Sequence, residues 1–476
     1  MTDDLALATA TDLVRLYRSR AVSPVDVIKA VFSRIERYNG VLNAFCLLDE
    51  KSAVAAARQS EERWRRGEPC GLVDGIPTSV KDLSYTKGWP TLRASRAIRA
   101  EGPWDEDSPS VARMREHGAV LFGKTTVPEF ATRVITHSEM CGVTRNPWDP
   151  DKTPSGSSGG SATSVAAGMG TIALASDAAG SIRVPAAFTN LFGLKPTFGL
   201  VPDYPASYLG TLAVIGPITR TVEDCALTIT VISEPDTRDS YALPYTGEDF
   251  RRNLDLGVKG LRIAYSPTLG FARIDPEIAA IVGKAAEAFR ELGATVEEVE
   301  HVYDSPAETL YTLILAGLAN AFWQFEFTDS DRAKMERGVV EAADLGAKTS
   351  LRDYLAARRA RERLGAQMRA FHQKYDLLIA PVSAIPPFQA GVEAPTEERY
   401  AKLGDWAIAL NCAANLTKQP AASVRCGYTA EGLPVGLQVV GPIYGDALVL
   451  RACRAFEHIH PLQLPDMKKV ETRRNG

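Results

Sequence analysis

The 476-residue sequence contains no stretch of about 18 consecutive apolar residues, so no membrane-spanning helix is expected. It also lacks a charge excess: 54 Lys and Arg face 58 Asp and Glu, and the formal net charge of −4 offers no field for a polyanion or an anionic membrane. Nucleic acid and lipid surfaces are therefore not expected partners. The seven cysteines, at positions 46, 70, 141, 225, 412, 426 and 453, include no C-x-x-C pair and no zinc-ligand spacing. Reduced thiols and a cytoplasmic location are the expectation. The opening MTDDLALATATDLVRLYRSR has neither the basic start nor the continuous apolar core of a secretion signal. Histidine is sparse and scattered, at 117, 137, 301, 372, 458 and 460, and none is placed to serve as a general base.

What is present is an ordinary globular composition, 45% hydrophobic and 24% charged. From Asp12 to Asn39 the apolar periodicity predicts two helices, the second opened by Ser23 as cap, Pro24 in the first position and Asp26 completing a capping box. VLNAFCLL (41–48) reads as a short buried strand, and 51–68 as a surface helix stopped by Gly67. GIPTSVKDL (75–83), LRIAYS (261–266), ATVEEVE (294–300), DLLIAPVSAIPP (376–387) and LPVGLQVVGP (433–442) read as strands, with a helix between the second and third of these. Strands alternating with helices predict an α/β fold, a single large α/β/α sandwich with a mixed, mostly parallel central sheet covered by helices. Its expected parts are an N-terminal helical cap (1–70), a core (71–300), a helical substrate-pocket region (301–400) and a return to the same sheet (401–476). In the third part the aromatic run YTLILAGLANAFWQFEF (311–327) reads first as core packing and second as pocket wall.

GAVLFGKT (118–125) matches the phosphate-loop pattern G-x-x-x-x-G-K-[ST] letter for letter. A phosphate cradle needs small or polar residues whose N–H groups are free, whereas Ala119 to Phe122 read as a buried strand. Pro128 follows too soon for the helix that such a loop must enter. No nucleotide is expected here.

SGSSGGSATS (155–164) has the composition of a flexible linker, yet its flanks do not. It runs into SVAAGMGTIALASDAAGSIRVPAAF, whose Ala, Gly, Val and Ser residues suit a helix packed on all sides, so the stretch reads as a rigid, buried turn. The segment TPSGSSGGSATSVAAGMGTIALASDAAGSIRVPAAFTNLFGLKPT (153–197) resembles the long signature of the amidase signature family. GIPTSVKD (75–82), TRNPWDP (144–150), IGPITRTVED (215–224), NLTKQPAASV (415–424) and GLPVGLQVVG (432–441) extend that resemblance over nearly the whole chain.

The resemblance implies a Ser, Ser, Lys triad: Ser181 as nucleophile, Ser157 as bridging serine, Lys81 as base. It also implies a cis peptide bond between Gly156 and Ser157. The chemistry is coherent: amide hydrolysis is divided by an acyl-enzyme, the serine needs a base, and a lysine can act as one if burial removes its proton near neutral pH. The backbone N–H groups of Ala178, Ala179, Gly180 and Ser181 are the implied oxyanion hole. Cys141, Ser155 and Gly156 are expected to contact substrate, and Asp177 and Arg183 to brace the turn. Two departures stand out. Asp177-Ala178-Ala179-Gly180-Ser181 replaces the usual Asp-Thr-Gly-Gly-Ser, so a positive φ at Ala179 would be strained. Ser155 replaces the first glycine of Gly-Gly-Ser-Ser. The implied partner is a small linear amide, aryl or alkyl, anilide or carbamate; no cofactor or metal is implied, and a homodimer is the expected assembly. The alternative within the resemblance is the glutaminase component of a tRNA-dependent amidotransferase, although YLGTLAVIGPITR (208–220) lacks the Ser-Leu-Asp-Gln stretch expected there.

Overall fold

Short segments of β-branched and aliphatic residues, bounded by glycine and turn residues, form the strands of a computed structural model that describes residues 2–401 and 407–475. They are β1 (Phe45–Leu48), β2 (Pro77–Lys81), β3 (Val120–Thr125), β4 (His137–Ser138), β5 (Gly142–Val143), β6 (Ile172–Asp177), β7 (Phe192–Lys195), β8 (Val214–Thr219), β9 (Arg262–Tyr265), β10 (Thr295–Glu298), β11 (Leu377–Pro381), β12 (Ala421–Tyr428) and β13 (Pro434–Val440). β4 and β5 pair separately. The other eleven make one sheet in the order β1-β3-β2-β6-β8-β7-β12-β13-β11-β9-β10, with helices on both faces. β2, β3, β7, β8, β11 and β13 are buried along their whole length, as a sheet covered on both sides requires. Among the described residues, no helix is long and apolar enough to cross a membrane.

The sheet is mixed, as expected, but parallel pairing does not dominate it. β3/β2, β2/β6, β11/β9 and β9/β10 are parallel and lie toward the flanks. β1/β3, β6/β8, β8/β7, β7/β12, β12/β13 and β13/β11 are antiparallel. For one of these pairs the reason is connection length. β12 and β13 are joined by a tight turn in which the Gly432 N–H donates to the Thr429 carbonyl at 2.8 Å, and so short a link permits only antiparallel pairing. The strand, helix, strand unit at β9 and β10 is parallel as predicted.

Boundaries moved where burial overrode local signals. The helix opened by Ser23 runs through Leu42, so the strand expected from 41 starts at Phe45. Ser23 Oγ accepts from the Val25 N–H and donates to Glu61 at 2.6 Å. The helix Glu50–Arg66 ends at Gly67, whose φ is +78°. Val120–Thr125, the phosphate-loop lookalike, is strand β3, and its Lys124 is buried against Asp82, the Ser84 carbonyl and Thr91.

The serine-rich stretch is no linker. Gly159–Ala166 is a helix with every residue buried, and its glycines allow its close approach to the sheet. A Cβ on Gly160 would lie 2.4 Å from Thr126 Oγ1 and 2.6 Å from Thr126 N, the second being backbone that cannot swing away. Gly160→Ala is therefore expected to destabilise by about 1–3 kcal/mol through overpacking, read as a fall in the calorimetric unfolding midpoint. An unchanged midpoint would contradict the contact.

Candidate active site

β2 and β6 are parallel neighbours in the register Val80 to Leu174, which brings their C-terminal ends to the same edge of the sheet. Lys81 closes β2; Ser176 and Asp177 close β6. Ser157 and Ser158 sit at the start of the buried helix, and Ser181 follows the turn after β6. Lys81 is fully buried, and its Nζ lies 2.7 Å from Ser157 Oγ, 2.7 Å from Ser158 Oγ and 3.0 Å from Ser176 Oγ. Ser158 Oγ donates onward to the Ser176 carbonyl at 3.1 Å. No carboxylate among the described residues pairs with the amine. Burial pushes the Lys81 pKa down to about 7, the Asp177 charge opposing the shift only in part.

The turn after β6 is held from below. Asp177 accepts from the Gly180 N–H at 2.8 Å, the Ile182 N–H at 3.1 Å, and the Arg183 guanidinium at 2.9 and 3.0 Å. Burial alone would raise its carboxyl pKa, but the Arg183 charge and these donors outweigh burial and hold it well below the usual range. Arg183 in turn reaches Gln438 on β13 and Asn415, each at 2.6 Å, and the Asn411 carbonyl at 2.8 Å. Both residues brace the turn, as the sequence suggested.

The turn's geometry answers the two departures. Gly180 has φ +116°, whereas Ala179 lies outside the left-handed region, so the alanine carries no backbone strain. The Gly180 N–H is committed to Asp177, unlike the four-donor set expected from sequence. The N–H groups of Ala178, Ala179 and Ser181 have no partner among the described residues. Ser155 does adopt a left-handed conformation, φ +65°, at the position where the family's pattern has glycine. The Gly156–Ser157 peptide is cis.

Ser181 opens onto two lobes of a cavity. One, ≈ 70 Å³, is lined by the 178–181 backbone, Ser155, Gly156 and apolar side chains including Phe130, Val134, Ile314 and Leu318. The other, ≈ 90 Å³, includes Ser157, Ser176, Tyr85, Arg93, Asp203 and Phe325. Tyr208 and Leu209 line both lobes and also a larger outer groove, so their loop separates the cavity from that groove.

Cys141 lines neither lobe, contrary to expectation. Its thiol pairs with that of Cys46, its N–H donates to Ser138, and its carbonyl accepts from Asn43. Ser155 Oγ is likewise committed, donating to the Val134 carbonyl at 2.8 Å. The aromatic run divides: Ile314, Leu318, Gln324 and Phe325 reach the lobes, while Trp323 is 66% exposed. Sequence reasoning missed Ser158 and Ser176 as partners of Lys81, although Ser158 stands beside Ser157 and Ser176 beside Asp177. It also missed Arg93, Asp203 and Tyr208, which carry no local motif. No cluster of three His, Cys, Asp or Glu that could hold a metal occurs among the described residues.

The Amidase family model matches residues 26–450. The chain is 33% identical over 478 residues to the A component of the Glutamyl-tRNA(Gln) amidotransferase of Myxococcus xanthus, covering 95% of this chain and 97% of that one. It is 32% identical over 459 residues to an acylamidase of Rhodococcus erythropolis, covering 95% of each. Among solved structures, a bacterial aryl acylamidase of the amidase signature enzymes superimposes with a TM-score of 0.89 at 30% identity, over 98% of both chains.

The buried amine has a consequence for stability that needs no substrate. Its pKa is depressed in the fold, so between about 7 and its ordinary value of 10.5 the unfolded chain binds the extra proton, and stability rises with pH across that window. Lys81→Met removes this linkage. Its unfolding midpoint relative to the parent chain is expected to be highest at pH 7 and to decline toward pH 10, by thermal melts at stepped pH; a constant difference would mean an unperturbed lysine.

Proposed function

The chain belongs to the amidase family, whose members hydrolyse amides, and from its site we propose hydrolysis of small linear aryl or alkyl amides, anilides or carbamates included, through an acyl-enzyme on Ser181. The observation that carries this reading is the buried Lys81 amine, 2.7 Å from Ser157 Oγ and with no carboxylate partner among the described residues. Uncharged Lys81 takes a proton from Ser157, which takes one from Ser181 as that oxygen attacks the carbonyl carbon. The unpartnered N–H groups of Ala178, Ala179 and Ser181 receive the oxyanion. Collapse expels the amine, protonated by the same relay, and water then attacks the ester with the relay run again. Lys81 and the two serines suffice for every proton transfer in this cycle.

The lobe beside the 178–181 turn is lined mainly by apolar side chains, and its one cation, Arg133, is already paired with Glu336 and Glu393, so it suits an uncharged acyl group without acidic or basic substituents. The alternative, an amidotransferase component that acts on glutamine with a partner, is supported by the Myxococcus relative at almost the same identity as the acylamidase. Activity separates the two: a purified chain that releases amine from simple amides without a partner supports the hydrolase, and strict glutamine use in the presence of a partner supports the amidotransferase.

Intact-mass analysis after mixing with an amide panel is expected to trap an acyl group on the parent chain and none on Ser181→Ala; an adduct retained by the variant would displace Ser181 as nucleophile. Ser157→Ala and Lys81→Ala are each expected to lower kcat by about 10³-fold or more. Because only the uncharged amine accepts a proton, kcat/KM is expected to rise with pH through about 7 and then level. A profile flat from pH 5 to 9 would remove Lys81 from the relay.

A further inference from the structure

Each lobe is lined by one arginine, but Arg133 in the first is paired with Glu336 and Glu393, whereas Arg93 in the second is a cation that the proposed mechanism leaves idle. Arg93 is 9% exposed. Its guanidinium lies 5.5 Å from the ring centre of Tyr85 and 5.1 Å from that of Phe325, and all three residues line the lobe that contains Ser157. Its Nε is buried without a hydrogen-bond partner, and the guanidinium forms no ion pair or hydrogen bond among the described residues. A buried, unpaired arginine is costly unless something else supplies the acceptor.

The backbone around it is firmly held. Arg93 and Ala94 adopt φ of +53° and +52°, a conformation rare for residues with side chains. Asp82, next to Lys81, accepts from the Leu92 and Ala94 N–H groups at 3.3 Å each, and the Arg93 carbonyl accepts from the Phe130 N–H at 2.9 Å. The loop is thus pinned on both sides of Arg93, and the side chain is presented to the cavity by a strained segment tied to the strand that carries the amine.

The relay decides which half of a substrate meets it. Ser157 delivers the proton to the departing nitrogen, so the amine half occupies the lobe that Ser157 lines, and the acyl half takes the apolar lobe. Resting on the amidase reading, we propose that Arg93 is a specificity residue for the leaving group, and that the preferred substrates are N-acyl aromatic amines bearing a carboxylate. Tyr85 and Phe325 give the lobe aromatic walls for the ring of the amine, and the planar guanidinium packed on them matches a carboxylate. Asp203, the one acid lining this lobe, forms no ion pair with Arg93; burial and the neighbouring Asp239 charge push its carboxyl up to about 7, which weakens it as a competitor for the guanidinium.

The test compares N-acetyl aminobenzoates, meta and para, with the matching neutral N-acetyl toluidines, identical in acyl group and close in size. The parent chain is expected to favour one of the carboxylates over its neutral match by about 10- to 100-fold in kcat/KM, the range of a charge-assisted hydrogen bond. Arg93→Gln is expected to abolish that ratio, and Arg93→Lys to retain part of it. No preference in the parent chain, or a parallel loss on both substrates in Arg93→Gln, would overturn the inference while leaving the amidase reading intact. If neither amide is cleaved, the amidase reading fails first. Calorimetric titration of free aminobenzoate against the parent chain and Arg93→Gln still reads the lobe, and binding that does not depend on Arg93 overturns the inference there too.

Discussion

The site depends on keeping an amine out of water with no counter-ion beside it among the described residues. A shift from 10.5 to about 7 corresponds to roughly 5 kcal/mol of penalty on the charged form of Lys81, which the surrounding packing must supply. Three serine oxygens satisfy the neutral amine, and a carboxylate in the same place would return its charge. Asp177, the acid whose charge reaches Lys81, is instead occupied by Arg183 and by the backbone of the turn before Ser181. One anion does two jobs: it neutralises a buried guanidinium and shapes the turn, and its engagement there spares Lys81.

That arrangement explains why the central strands must be packed as they are. Arg183 connects the turn after β6 to Gln438 on β13 and to Asn411 and Asn415 of the helix Ile408–Leu416. Asn415 Nδ2 returns to the Asp177 carbonyl at 3.0 Å. β6 and β13 are separated in the sheet by β8, β7 and β12, so the brace ties distant strands through side chains where backbone pairing cannot reach. Breaking one member leaves a buried charge without its partner, the costly way to lose such a network.

The parts of this architecture that could be read from the sequence are those in which a local pattern has one physical solution. Gly67 ended its helix because the chain there needed a left-handed residue, and β9 and β10 paired in parallel because a helix separates them. GAVLFGKT could be rejected as a phosphate loop because Val120, Leu121 and Phe122 needed burial. Of Lys81, Ser157 and Ser181, which the family pattern implied as a triad, the first two lie in hydrogen-bond contact and the third lines both lobes of the cavity. The excess of antiparallel pairing was hidden because alternation of strands and helices does not give the sheet order, in which β6/β8, β7/β12 and β13/β11 are antiparallel neighbours that do not follow one another in the chain. Cys141 misled for a related reason: a thiol in a polar loop looks available, and only the fold reveals Cys46 beside it.

Residues that line the cavity were harder to see than those around the buried amine, and the asymmetry has a physical origin. A proton relay needs specific groups at hydrogen-bond spacing, which concentrates them on adjoining strands and the first turn of a helix. A pocket wall needs only surface of the right character, and Phe130, Arg93, Tyr208, Leu318 and Phe325 come from four separate stretches of chain with no common spacing. Tyr208 shows how such a wall is assembled: its hydroxyl donates to the Phe130 carbonyl, and Phe130 packs against Phe322, Phe325 and Phe327. The loop from Asp203 to Leu212 is thereby fastened to the helix Ala307–Gln324 and the chain just beyond it, rather than to the strand that carries Lys81. Substitutions in this aromatic cluster can reshape both lobes while leaving Lys81 and Ser157 in place, so the shape of the cavity and the setting of the buried amine can vary independently.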